Sequence, residues 1–136
     1  MGKRLAGHGL HPELILSSPA ARARQTAELI APALNYPAAD IRYETAVYLA
    51  RPGELLRVLA GVNDGIDDLV LVGHNPGLTQ LANMMLPDLA VQNLPTAGAV
   101  VIDVDVTSWR HIDAGPFRLR LFDFPKNADQ RTSQKQ

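Results

Sequence analysis

Residues 69–72, Leu-Val-Leu-Val, form an uninterrupted apolar run bounded by Asp68 and Gly73, and together with the turn after them they limit the fold more than any other stretch. A short continuous run of this kind reads as a strand buried on both faces. The chain then passes through Gly73-His74-Asn75-Pro76-Gly77, which has the residues of a turn, into apolar spacing that predicts a helix over 78–86. A buried strand feeding directly into a helix is the repeating unit of α/β architecture with a parallel sheet. His74, between the strand's carboxyl end and the helix start, occupies the place where open α/β sheets bind ligands.

A second junction has the same form. The apolar run 14–16 leads into Ser17-Ser18-Pro19. Ser18 reads as a helix N-cap and Pro19 as a first helical residue. The helix is expected to run to about Asn35, with Ala23, Ala27, Ile30 and Leu34 on its core face and small residues that allow close packing on the sheet. Arg24 and Glu28 are spaced to form an exposed pair. Arg22 falls in the first turn, where the helix dipole disfavours a cation but free N–H groups favour an anion. It reads either as a surface arginine or as one awaiting a bidentate anionic partner. In a mostly parallel sheet both junctions lie on one edge, so Arg22 and His74 can converge on an oxyanion or phosphate, with His74 also able to move a proton.

Elsewhere the pattern is consistent with one domain over residues 1–124. Residues 1–9 resemble the last turns of a helix, and His8 and His11, three apart, read as solvent-facing because two histidines with no cysteine beside them are a poor metal signature. Residues 41–49 read as a strand or extended segment, 52–62 as a helix, and 99–106 and 118–124 as an antiparallel pair at the sheet edge, with Trp109 an apolar anchor between them. The segment 125–136 lacks apolar residues and is expected to be flexible.

Several functions are disfavoured. A net charge of -1 gives no general attraction to nucleic acid or an anionic membrane. No apolar run approaches the roughly 20 residues that span a bilayer, and no signal-peptide pattern opens the sequence. There is no cysteine, which removes thiolate metal sites and thiol nucleophiles and suits a reducing compartment; the cytoplasm is the expected location. Phosphate-loop, dinucleotide and nucleophile-elbow motifs are all missing. A serine hydrolase built on Ser17 or Ser18 with His74 is less economical than Ser18 as a cap. Asp40, Glu44 and Glu54 are carboxylates that could serve as a general acid or simply be solvated.

The two junctions together, SSPAARARQTAELI at 17–30 and VLVGHNPGL at 70–78, resemble the histidine phosphatase (phosphoglycerate mutase-like) superfamily, and most closely its SixA-like phosphohistidine phosphatase branch. PTAGAVVIDVD at 95–105 is similar to the family's late strand, so the resemblance covers roughly residues 1–105. It implies a three-layer α/β sandwich, a mostly parallel sheet flanked by helices, with a phosphate pocket at the strand ends. Arg22 matches the phosphate-binding arginine of the motif S-P-x-x-R-A-x-Q-T, and His74 the second histidine, which contacts the transferred phosphoryl group. The resemblance implies no metal and no cofactor, and a phosphorylated substrate, expected to be a phosphohistidine protein.

One departure stands out. The family opens with a strand ending in Arg-His-Gly, whose histidine takes the phosphoryl group covalently. No such triplet occurs here, and His8 lies in Gly-His-Gly after helical turns. The expectation is therefore a sheet lacking its first strand, with roughly forty residues missing from the N-terminus. Such a chain would be inactive by the covalent route and would cover the open edge by forming a homodimer or by exchanging segments. The alternatives are a non-catalytic module binding phosphate or a phosphoprotein, and an association domain using its exposed sheet.

Overall fold

Alternating side chains along the strands divide the core between two helical layers. The computed structural model describes residues 1–94 and 98–123, so the tail expected to be flexible, 125–136, lies outside the described residues. Strand β1 (Leu14–Ser17) is the middle of a parallel sheet, between β2 (Arg42–Tyr43) and β3 (Leu69–Val72). Strands β1 and β3 run in step, from Leu14 opposite Leu69 to Ser17 opposite Val72. Ile15, Val70 and Val72 face α1 (Gly2–Gly7) and α2 (Ala21–Ala33), packing with Leu5, Ala23, Ala27 and Ile30. Leu14, Leu16, Leu69 and Leu71 point the other way. They meet Val62 just past α3 (Pro52–Ala60), and the layer continues into Leu81 and Met85 of α4 (Gly77–Met85). This is the expected three-layer α/β sandwich. Ile15 and Leu16 are 0% exposed; burying a side chain of that size contributes about 1.5–3 kcal/mol.

Local sequence explains most element ends, and four features of the fold differ from expectation. The helix α2 starts at Ala21, not Pro19, because Ser18 and Pro19 are still stepping off the sheet. It gives way at Asn35, whose φ of 56° is the left-handed geometry that asparagine tolerates at a helix terminus. Residues 41–49 are strand only at Arg42–Tyr43. Their neighbour β1 ends at Ser17, whose carbonyl accepts the last rung from Glu44 N–H at 2.9 Å, so nothing remains to pair with. The chain instead tightens into a 3₁₀ turn at Thr45–Val47, which drives Val47 (1% exposed) into the core. The expected Arg24–Glu28 pair does not form; the Arg24 guanidinium lies 4.7 Å from the Tyr43 ring centroid instead.

The antiparallel pair near the C-terminus is present as β4 (Ala99–Val104) and β5 (Phe117–Asp123), but as a separate two-stranded sheet and not on the edge of the parallel one. It joins the body through side chains: Ala99, Val101 and Leu121 enter the α1–α2 layer, while Ile102, Val104 and Phe117 enter the α3–α4 layer. Phe117 and Leu121 would share a face in a regular strand. They separate because Leu121 pairs with Val101 but Leu119 pairs with Ile102, which makes Arg120 the extra residue of a bulge. Trp109 anchors the connection as expected, its indole N–H donating to the Ile66 carbonyl at 2.7 Å.

The bulge aims Arg120 at Asp103, with Nη2 2.6 Å from Oδ1, and Arg118 reaches the same carboxylate at 3.5 Å. Hydrogen bonding to Arg120 is the largest influence on Asp103 and holds its carboxyl below the ordinary value of 3.8. A carboxyl depressed by folding stabilises the native state above its unfolded pKa, and that contribution disappears as pH falls through the lower folded value. Urea unfolding of the wild type and of Arg120→Ala should therefore differ at pH 6, and the gap should close as the pH falls below 3.8 and through the lower folded value. A gap that persists undiminished in acid would show the arginine acting through packing alone.

Candidate functional site

At the carboxyl ends of β1 and β3 the two junctions meet. The register that sets Ser17 beside Val72 brings Ser18 and Gly73 off the sheet together, and Ser18 N–H donates to the Val72 carbonyl at 2.9 Å. One residue further, His74 turns back across the gap until its Nε2 lies 2.7 Å from the Ser18 hydroxyl oxygen. That contact joins the two sequence motifs physically. Ser18 is 0% exposed and His74 is half-buried.

Ser18 is thus no ordinary N-cap. Its oxygen does accept from the Ala20 N–H, at 3.2 Å, but Ala20 precedes the helix and is its actual cap position. What the hydroxyl holds is His74. The helix α2 then opens with Ala21, Arg22 and Ala23, whose N–H groups have no preceding turn to receive them. Arg22 is exposed and has no ion pair or side-chain hydrogen bond among the described residues. Only its carbonyl is engaged, by the Thr26 hydroxyl at 3.0 Å. The structure brings the α2 N-terminus carrying Arg22 to the same sheet edge as His74.

Two further groups shape the histidine's surroundings, neither singled out by the sequence. Tyr48 sets its ring edge-on to the imidazole, with centroids 5.5 Å apart and planes at 89°. Asn75 fixes the turn from below: its side-chain amide donates to the Leu94 carbonyl at 3.0 Å while its oxygen accepts from the Thr79 hydroxyl at 2.6 Å. The Thr79 oxygen in turn accepts from the Leu94 N–H at 2.9 Å. This closed ring of bonds ties the His74 turn, α4 and the chain at Leu94 into one unit. Tyr48 is 53% exposed and could not have been identified from its neighbours in sequence. Asn75 and Thr79 carried a signal, two polar residues four apart across the start of a helix.

The other candidates lie elsewhere or are occupied. Glu13 N–H donates to the Asp68 carbonyl at 2.8 Å, placing the chain that enters β1 at the opposite end of the sheet. His8 and His11 lie in the chain leading to that end, and no hydrogen bond joins either to His74 among the described residues. Arg110-His111 falls in the 3₁₀ segment Trp109–Ala114, which is tied through Asp64 and Ile66 to the same far end. Glu44 stands near the His74 edge, but its carboxylate faces Arg42 at 3.1 Å. Glu54 accepts from the Arg51 N–H at 3.0 Å as part of the α3 start. Asp40 ends the 3₁₀ turn Ala38–Asp40, its carbonyl bonded to the Tyr36 hydroxyl at 2.8 Å.

An imidazole fixed at one nitrogen, a guanidinium without a partner among the described residues and a helix N-terminus can together hold a tetrahedral oxyanion. No protein-family model matches the chain. Two relatives, uncharacterised proteins of Mycobacterium tuberculosis strains CDC 1551 and H37Rv, are each 32% identical, the alignment covering 90% of this chain and 82% of theirs. Among solved structures, a protein assigned as the phosphohistidine phosphatase SixA of Agrobacterium tumefaciens is 32% identical, with a TM-score of 0.74 over 91% of this chain and 75% of its own. A protein histidine phosphatase SixA crystallised with tungstate is 21% identical, with a TM-score of 0.76 over 93% of this chain and 78% of its own. At that identity the second likeness speaks for the fold alone.

Proposed function

The chain belongs to the SixA-like branch of the histidine phosphatase superfamily, and from that premise we propose that the pocket at the ends of β1 and β3 receives a phosphoryl group, with phosphohistidine on a protein as its source. Arg22 clamps the phosphoryl oxygens, the free N–H groups at the start of α2 add to that grip, and His74 donates a hydrogen bond to the same group. The observation that carries this reading is the 2.7 Å contact between His74 Nε2 and Ser18, which unites the two motifs in one site. Tungstate, a tetrahedral dianion that stands in for phosphate and is bound by a SixA protein of this fold, is the natural probe for it.

The reaction in this family passes through an enzyme phosphohistidine. The 136 residues contain no Arg-His-Gly triplet, and the one Arg-His pair, at 110–111, lies at the far end of the sheet from His74. We therefore expect this polypeptide to hold a phosphoryl group without turning it over. Titration calorimetry with tungstate and phosphate should show one site, while phosphate release from a phosphohistidine protein should stay at the buffer blank. Failure to bind either oxyanion removes the pocket reading. Release above the blank that disappears in His8→Ala or His111→Ala removes the claim that no nucleophile is in place. A second reading, association, has one observation behind it: Leu69, Val70 and Leu71 are only half-buried, on a strand whose outer edge has no partner strand among the described residues. Sedimentation of the same samples distinguishes the readings, because a dimer would add association to binding, whereas a monomer at all concentrations removes it.

A further inference from the structure

We infer that Ser18 is a positioning residue for this site, selecting the tautomer of His74 so that Nδ1 carries the proton offered to the ligand. Donors and acceptors around the Ser18 hydroxyl can be counted in full. Ser18 is 0% exposed, so no bulk water can complete its bonding. Its oxygen already accepts from the Ala20 N–H at 3.2 Å. Its own proton has a single acceptor among the described residues, the Nε2 of His74 at 2.7 Å. The adjacent Ser17 hydroxyl makes no bond to that of Ser18 and donates instead to the Ser18 carbonyl at 2.8 Å.

Two arrangements are then possible. If Nε2 bears the hydrogen, the Ser18 oxygen accepts twice and its own proton is stranded in the core. If Nε2 is bare, Ser18 donates to it, accepts from Ala20, and every group is satisfied. Stranding a buried donor is costly enough to favour the second arrangement by about tenfold or more. The neutral imidazole then has its hydrogen on Nδ1, although an unconstrained histidine side chain prefers Nε2. The two ring nitrogens point in nearly opposite directions, so a hydrogen on Nδ1 faces away from Ser18. Nδ1 has no hydrogen bond among the described residues and is not a sealed, unsatisfied atom. Tyr48, edge-on at 5.5 Å, restrains the plane of the ring without bonding to either nitrogen.

The consequence for binding rests on the phosphoryl-binding reading. A phosphoryl oxygen only accepts hydrogen bonds, so a bare nitrogen facing it would repel and an N–H would attract. Ser18 thus converts the histidine into a donor before any ligand or added proton arrives, an example of preorganisation. It does so without touching the ligand.

The test is nitrogen-15 NMR on protein labelled at histidine, at about pH 8.5 where imidazoles are neutral. In the wild type the His74 Nε2 should resonate as the bare nitrogen and Nδ1 as the protonated one. In Ser18→Ala the proton should move largely to Nε2, and tungstate affinity should fall about tenfold. Adding tungstate to the wild type should shift Nδ1 and its proton more than Nε2. A wild type protonated on Nε2, or a tautomer unchanged in Ser18→Ala, overturns the inference. Should the variant fail to fold, the wild-type spectrum still decides. A wild type protonated on Nδ1 that ignores tungstate leaves the tautomer assignment standing and sinks the phosphoryl reading alone.

Discussion

Replacing Arg22 by alanine is expected to weaken tungstate and phosphate binding by about a hundredfold while leaving the melting temperature where it was. The two halves of that expectation have separate causes. A guanidinium meets a tetrahedral oxyanion through two charge-assisted hydrogen bonds, each contributing about 1.5–3 kcal/mol, and after desolvation the pair accounts for roughly two decades of affinity. Stability is untouched because the side chain is exposed and has no partner among the described residues, where only its backbone takes part in a bond, to Thr26. Removing a cation from the first turn of α2 even relieves a small conflict with the helix dipole. Arg22→Lys keeps the charge but not the fork, and should recover only part of the loss. An alanine variant that binds tungstate within twofold of the wild type would place the oxyanion elsewhere. One that loses stability as well would show Arg22 holding the fold, not a ligand.

The meeting of the two junctions at one sheet edge was legible in the sequence because it depends on local signals. Apolar runs at 14–16 and 69–72, each followed at once by turn residues and helical spacing, mark two strand-to-helix junctions, and a parallel sheet leaves them no choice of edge. Arg22 and His74 could be named from that alone as candidates for that edge. The details that depend on register could not. Ser18 looks like a cap in sequence, and only the pairing of Ser17 with Val72 turns its hydroxyl toward His74. Within the strand or extended segment expected over 41–49, the strand itself is limited to Arg42–Tyr43 by the end of β1, which nothing within 41–49 encodes. The bulge at Arg120 is equally hidden, since the alternation of 118–124 is regular and the irregularity appears only against β4. Arg24 illustrates the competition between local and tertiary partners: a spacing suited to Glu28 yields to a tyrosine ring delivered by the neighbouring strand.

Gly77→Ala is the substitution expected to damage the fold most, despite being one that helix propensity favours. Gly77 is the first residue of α4, where alanine is intrinsically better than glycine by about 0.5–1 kcal/mol. A methyl group there would sit well inside contact distance of the Ala50 carbonyl oxygen, with Leu55 directly behind. The obstacle is backbone, so no rotamer change removes it. Nor can the loop retreat: Leu49 before it is already in the left-handed region at φ 50°, and it is pinned between Val47 at 1% exposure and Leu55 at 2%. Overpacking against such a wall costs about 3 kcal/mol or more, against a total stability of about 5–15 kcal/mol for a domain of this kind. Urea unfolding should show that loss. Gly53→Ala provides the internal control, because a methyl group there meets nothing within 4 Å and should stabilise α3 slightly. The functional effect has the same geometric origin. The loop that Gly77 supports carries Tyr48, whose ring restrains His74, so any Gly77→Ala protein that remains folded should bind tungstate more weakly than the wild type. A Gly77→Ala protein as stable as the wild type would mean that the Ala50 loop moves freely, and that Tyr48 restrains nothing.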